Sequence, residues 1–283
     1  MRTLQNTLIA FLIIAQNSCT KKNQTPALPP TLKYELVWFD EFNADGAPDA
    51  TKWEYENGFV RNEEAQWYQP ENAVCESGNL VITGKKERKT NPDFDAGSSD
   101  WRKKRAFAEY TSASLKMLKT QAFRYGKLEV RAKIDAQTGL WPAIWTLGVE
   151  GEWPSNGEVD VMEYYGDKIL ANFAYGSPNR WQAIWDAASR TLTSLGGALW
   201  ASQYHVWTLE WDENLMRILL DGEFINSIDL SISINKIDGK NPFRQPHFLL
   251  LNLAMGGTSG GSLANTVLPS KYFVDYVRVY KKK

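Results

Sequence analysis

The sequence predicts an all-β fold, a sandwich or jelly roll of two antiparallel sheets, and three observations predict it. From Leu36 onward no helical periodicity is sustained. Short runs rich in β-branched and aromatic residues recur instead, and Gly, Pro, Asn and Asp turn signals separate them. Strands of this kind fit two stacked sheets about 10 Å apart. A length of 283 residues suits one large all-β domain, and 43% hydrophobic against 23% charged residues can fill its core.

The runs follow in order. Tyr34 to Phe39 opens the domain with an aromatic-rich strand. Ala73 to Cys75 and Asn79 to Lys85 follow as two further short runs. Ser112 to Met117 and Gly126 to Ala132 come next, then the apolar run Trp141 to Leu147, Glu158 to Tyr164 and Ile169 to Ala174. Tyr204 to Trp211 and Leu215 to Leu220 lead to Asp221-Gly222, a two-residue hairpin signal because both turn positions want positive φ, and Glu223 to Asp229 returns from it. A short helix is expected near Leu230 to Asn235. Phe248 to Ala254 and Tyr272 to Tyr280 close the sheet. No repeat and no internal linker divides the domain, which spans 34–283.

Charge excludes one class of partner. Lys plus Arg total 32 and Asp plus Glu 33, a formal net charge of -1, so no bulk field draws the chain to nucleic acid. Aromatic content is the departure from average, 13% with 12 Trp. That much indole favours a surface that binds something flat and partly apolar, such as a sugar ring.

At the N-terminus Arg2 precedes the apolar run Leu8 to Ala15, short of the roughly 18 residues that span a bilayer and matching a secretory h-region. The run ends at Gln16-Asn17-Ser18-Cys19, which resembles a bacterial lipoprotein cleavage site with Cys19 as the lipidated residue. The alternative is an ordinary signal peptide. Residues 1–18 are therefore read as a signal peptide and 19–33 as a polar, Pro-rich tether. The expected location is an exported, membrane-anchored lipoprotein, with Cys75 left as a small buried hydrophobe.

Gly157-Glu158-Val159-Asp160-Val161-Met162-Glu163-Tyr164-Tyr165-Gly166 puts three acids on an otherwise apolar strand. Ionised carboxylates there are costly, since burial and like charge both oppose ionisation. Alternation puts Glu158 and Asp160 on one face and turns Glu163 away. A bulge at Val161-Met162 restores Glu163 to that face, leaving the two Glu backbones roughly 13 Å apart at about 3.3 Å per residue. Their side chains can then lean to the roughly 5 to 5.5 Å of a double-displacement glycosidase. The bland alternatives are a calcium cluster or an acidic stripe on an exposed strand.

This strand resembles the active strand of glycoside hydrolase family 16, retaining endo-glycanases on a β-jelly roll, especially the laminarinase-like branch. Further matches run in order along the chain. They include Leu36-Val37-Trp38-Phe39-Asp40-Glu41-Phe42, Arg61-Asn62-Glu63-Glu64-Ala65-Gln66-Trp67-Tyr68, Gly139-Leu140-Trp141-Pro142-Ala143-Ile144-Trp145, Gln245-Pro246-His247 and Val274-Asp275-Tyr276-Val277-Arg278-Val279-Tyr280. The resemblance implies a jelly roll with a concave substrate cleft. It implies Glu158 as nucleophile, Glu163 as acid/base and Asp160 as the partner tuning the nucleophile. It also implies Trp141, Trp145 and Trp153 as sugar-stacking residues, core packing being an even alternative for Trp145. Asn62, Glu63, Gln66 and Gln245 are the expected hydrogen-bonding contacts to hydroxyls, with loop capping the alternative for the first three.

Laminarinase-like relatives commonly carry His-Gly on the following strand, where this chain has Asn172 in Ala171-Asn172-Phe173. Asn172 keeps a hydrogen-bonding group at the substrate without a titratable one, which opens the choice of sugar. A β-1,3- or mixed-linkage glucan is the first expectation, an endo-β-galactanase the alternative, and a non-catalytic glycan-binding sandwich protein the competing class. The segment Ser177 to Asp186 adds two Trp and an Arg able to build further subsites. His205 and His247 are read as structural. The resemblance implies no cofactor for catalysis, but a structural Ca²⁺ with Glu41 and Asp275 as contributors, and a monomer meeting a polysaccharide.

Overall fold

The computed structural model describes residues 34–283; the expected signal peptide, tether and Cys19 lie outside the described residues. Period-two burial sets the layers. Gly126–Lys133 (β8) buries Leu128, Val130 and Ala132 and leaves Lys127, Glu129 and Arg131 partly exposed, as a strand with one face in the core must. His247–Met255 (β16) is buried throughout, because one face meets the core and the other lies beneath an incoming loop. There the Tyr68 hydroxyl accepts from Asn252 Nδ2 at 3.1 Å, and Gln66 Oε1 accepts from the Met255 N–H at 2.7 Å.

Two sheets result. The ten-stranded sheet runs β15 (Glu223–Asp229), β14 (Leu215–Leu220), β13 (His205–Trp211), β8, β17 (Ser270–Lys282), β5 (Asn79–Thr90), β6 (Phe107–Ser112) and β3 (Gln66–Tyr68). In that sheet β1 (Tyr34–Asp40) also pairs with β17 and β4 (Ala73–Glu76) with β5. The seven-stranded sheet runs β12 (Ala183–Thr191), β11 (Lys168–Gly176), β10 (Glu158–Tyr165), β9 (Leu140–Gly148), β16, β7 (Ser114–Met117) and β2 (Trp53–Tyr55). Leu80, Ile82, Leu115, Leu128, Ile144, Phe173 and Trp207 are all fully buried or nearly so in the core.

All expected strands are present, with differences that have physical reasons. The run Ser112 to Met117 is two strands. It breaks at Ala113, where the chain leaves the ten-stranded sheet for the seven-stranded one. Strands β2 and β3 are three residues each, too short to show a period, and β3 pairs with β6 in parallel, the one parallel pair among the described strands. The expected helix at Leu230 to Asn235 is a set of turns. Asp229 Oδ1 accepts from the Ser231 N–H at 2.7 Å and Ser233 Oγ donates to the Asp229 carbonyl at 2.6 Å, so polar side chains capture the backbone groups a helix would use. The Asp221-Gly222 hairpin forms with φ of 51° and 85°, as its residues require.

Cys75 is buried and free. His247 is buried with Nε2 on the Pro242 carbonyl at 3.1 Å and Nδ1 on Thr146 Oγ1 at 3.0 Å, and burial pushes its pKa down to about 4. It is a neutral structural imidazole. His205 is likewise structural, held between Asp221 Oδ2 at 2.6 Å and the Trp200 carbonyl at 2.9 Å.

Candidate active site

The acids lie on β10, and the strand is irregular between them. Glu158 and Asp160 face Leu147 and Trp145 on β9, and Ala174 and Asn172 on β11. The register then shifts, and Glu163 faces Ala143 and Leu170. Val161 and Met162 together occupy the step that one residue takes on each neighbour. This is the expected bulge, and it returns Glu163 to the face of Glu158 and Asp160. Val159, Val161 and Met162 are fully buried, so core packing holds the irregular strand in place.

The common face floors a cleft of about 660 Å³, within the usual size of small-ligand sites. Each carboxylate has a partner aimed at it. Trp153 Nε1 donates to Glu158 Oε2 at 2.5 Å and Trp141 Nε1 donates to Glu163 Oε1 at 2.9 Å. Asn172 Nδ2 lies 3.2 Å from Asp160 Oδ2 and 3.4 Å from Glu163 Oε2.

Burial raises all three pKa values. Glu163 is pushed up to about 7, first by desolvation and then by the charge of Glu158, against the hydrogen bond from Trp141. Asp160 is held well above the usual carboxylate range by burial and by both glutamates. Its Oδ1 is buried without a donor, and a proton there makes it a donor to a neighbouring glutamate. Glu158 is raised by burial, opposed by the Trp153 N–H, by the Arg61 cation and by Asp160. The arrangement separates one carboxylate with cationic and N–H support from two that burial and neighbouring acid charge push toward the protonated form.

Arg61 is a site residue that sequence reasoning did not single out. Its guanidinium pairs with Glu56, itself held by Ser114 Oγ at 2.7 Å, and lies over the Trp145 ring at 4.9 Å. Tyr165, packed edge-on against Trp141 at 5.3 Å, and Thr258 and Ser259 also line the cleft. The only sequence signal for the latter pair was the glycine-rich run after β16. Trp185, from the segment expected to add subsites, reaches the cleft because the end of that segment enters the edge strand β12, which sets Trp185 opposite Ala174.

The remaining expected residues divide. Trp141, Trp145 and Trp153 all line the cleft, as do Asn62 and Asn172. Two of the three indole N–H groups are committed to Glu163 and Glu158, while Trp145 Nε1 donates to Asn252 Oδ1 at 2.7 Å. Glu63 is not on the cleft. Asn62 and Glu63 both take left-handed φ, 54° and 51°, and this turn sends Glu64 inward, where it accepts from Gln66 Nε2 at 2.7 Å. Gln66 is buried and braces the loop rather than facing solvent. Gln245 also misses the cleft. It accepts from the Glu150 N–H at 2.8 Å and donates to the Asn156 carbonyl at 3.0 Å, pinning the loop that carries Trp153.

The expected calcium ligands do not fit a cation. Glu41 is committed to Arg278 through contacts of 2.7 and 2.8 Å, and Asp275 is paired with Arg131. Among the described residues no group of three or more His, Cys, Asp or Glu could hold a metal ion.

Comparison with known proteins places these features in a family. The chain is 32% identical over 267 residues to a beta-glucanase of Rhodothermus marinus, covering 88% of this chain and 85% of that protein. It superposes with a TM-score of 0.80 at 34% identity on a chain solved in work on endo-acting O-glycanases of prominent human gut microbiota, covering 92% and 94% of the two. On the laminarinase catalytic domain of Thermotoga maritima the TM-score is 0.73 at 30% identity, with 88% and 99% covered. The chain spans 34% and 39% of the length of the first two curated relatives it matches. The family model described as glycosyl hydrolases family 16 matches residues 61–278, which includes the bulged acid strand and its tryptophan partners, and the chain belongs to that family.

Proposed function

We propose that the protein is a retaining endo-glycosidase that cleaves internal β-linkages of a polysaccharide by double displacement. The observation that carries this reading is the single face shared by Glu158, Asp160 and Glu163 across the bulge, with Glu163 raised to about 7. Asp160 is within hydrogen-bonding reach of both glutamates. One carboxyl group bridging two others favours the short separation of about 5–5.5 Å used in retention.

Glu163 gives its proton to the leaving glycosidic oxygen as the C1–O bond breaks, and a Glu158 oxygen bonds to C1. The far end of the polymer departs. Glu158 is now an ester and its charge is gone, so Glu163 becomes the stronger base and takes a proton from water. The water oxygen bonds to C1, the ester bond breaks, and both carboxyl groups return to their starting forms. Asp160 supports the Glu158 anion by donating to it. Trp141, Trp153 and Trp185 give the sugar rings apolar faces, and no cofactor enters any step.

A β-1,3- or mixed-linkage glucan is the first substrate, supported by the resemblance to the Rhodothermus beta-glucanase and the Thermotoga laminarinase. A second reading, cleavage of a β-galactan or a mucin O-glycan, is favoured by Asn172 at the place where laminarinase-like relatives carry His. The higher TM-score against the O-glycanase chain supports it also. A panel of β-glucans and β-galactans with product sizing separates the two, and release of large fragments first marks endo action. NMR of the first product should show the β-anomer; the α-anomer contradicts the mechanism. We further propose that the chain is a monomeric lipoprotein acylated at Cys19, holding the domain beside a membrane where polymer is met.

A further inference from the structure

A second cavity, of about 420 Å³, adjoins the catalytic cleft at Trp153, which lines both. Its far wall is the loop after β11, where Trp181 is 53% exposed and takes a left-handed φ of 65°. A bulky residue in that conformation costs conformational energy, and an indole left in water gains nothing from the core. The surroundings nonetheless fix it there. Arg180 grips Glu152 through contacts of 3.0 and 2.8 Å, tying this loop to the one that carries Trp153, and its guanidinium lies over the Trp181 ring at 4.9 Å. Asn179 Nδ2 donates to Gln182 Oε1 at 3.0 Å within the loop. Below it, Asn235 accepts from the Gly176 N–H and donates to the Ser155 carbonyl, both at 2.7 Å.

The charges lining the cavity balance. Glu150, Glu152 and Asp238 face Arg180, Lys240 and Arg244, so no net field favours an anion or a cation. A held aromatic face beside neutralised polar groups suits a neutral, hydroxylated ring. From these residues we propose that the cavity is a distal subsite for a neutral pyranosyl unit, with Trp181 as its stacking face and Trp153 as the wall shared with the catalytic cleft. The pyranosyl unit reaches it either along the main chain from the Glu158 side or as a branch. This inference rests on the glycosidase reading and adds substrate length or branching as a determinant of rate.

The test is Trp181→Ala, a substitution at an exposed side chain whose folding is checked by circular dichroism. The kcat/KM is measured on linear oligosaccharides of rising length and on a branched polymer of the same linkage. The variant should lose about tenfold of the rate gain that length or branching gives the wild type, mainly through KM. Loss with long linear chains identifies the main chain as occupant; loss with the branched polymer alone identifies a side chain. Equal gains in variant and wild type overturn the proposal. If the wild type cleaves nothing in the panel, the glycosidase reading fails by itself, and the cavity is judged by calorimetric binding of the same oligosaccharides. Weaker binding by the variant then supports the subsite, and equal or no binding overturns it.

Discussion

The indole N–H of Trp141 meets Glu163 Oε1 at 2.9 Å from the neighbouring strand, so the residue expected to stack sugar also sets the acidity of the proposed proton donor. That hydrogen bond favours the ionised form and lowers the Glu163 pKa against the larger upward push of burial. Removing it should move the acid in a known direction.

In Trp141→Phe, the alkaline limb of the kcat/KM profile should shift to higher pH by a few tenths of a unit or more, because Glu163 keeps its proton longer. The wild-type limb is expected near pH 7, where Glu163 loses that proton. Rates across pH 4 to 9 check this, and an unmoved limb in a slower variant would leave Trp141 with a packing role alone.

Glu158→Gln and Glu163→Gln should each cut turnover by about 10³-fold or more, while glycan binding persists. Asp160→Asn should cost about tenfold or more, because an amide cannot follow the proton that Asp160 shares with its neighbours. Steady-state kinetics and calorimetric binding on folded variants decide both, and near-normal turnover in either glutamate variant would remove the double-displacement assignment.

Stability should respond to pH in opposite senses at two buried groups. Glu163 has a raised folded-state pKa, so the native state binds the extra proton, and stability is lost as pH rises from about 4.5 through about 7. His247 has a lowered one, so stability is lost as pH falls from about 6.5 toward about 4. Glu163→Gln should therefore stabilise the protein above pH 7, by on the order of 3 kcal/mol at about 1.36 kcal/mol per pKa unit. It should also steepen the decline below pH 6.5. Denaturant unfolding at several pH values tests both slopes.

Cys19→Ser should release the protein from membranes without changing its specific activity, since Cys19 precedes the first strand at Tyr34. Cell fractionation of the two forms checks this. Equal partition into the soluble fraction would leave an ordinary secreted enzyme.

Features that depend on local order along the chain are legible in the residues themselves. Two-residue alternation sufficed for the long strands, as in β8, and Asp221-Gly222 sufficed for its hairpin. The spacing of Glu158, Asp160 and Glu163 sufficed to require a bulge, because three costly acids among valines make sense only on one face. Tertiary structure alone decided which side chains converge from distant segments. Arg61 acquires its role from Glu56, Trp145 and Glu158, and no spacing announces that meeting. Glu63 and Gln66 sit in a loop of the right composition, yet two consecutive left-handed residues turn one outward and packing on Met255 draws the other inward. Gln245 and the acids Glu41 and Asp275 were chemically suited to a ligand, but three-dimensional neighbours claimed their polar atoms first. A polar group buried on folding must find a partner, and which partner it finds is settled by how the sheets bring distant segments together.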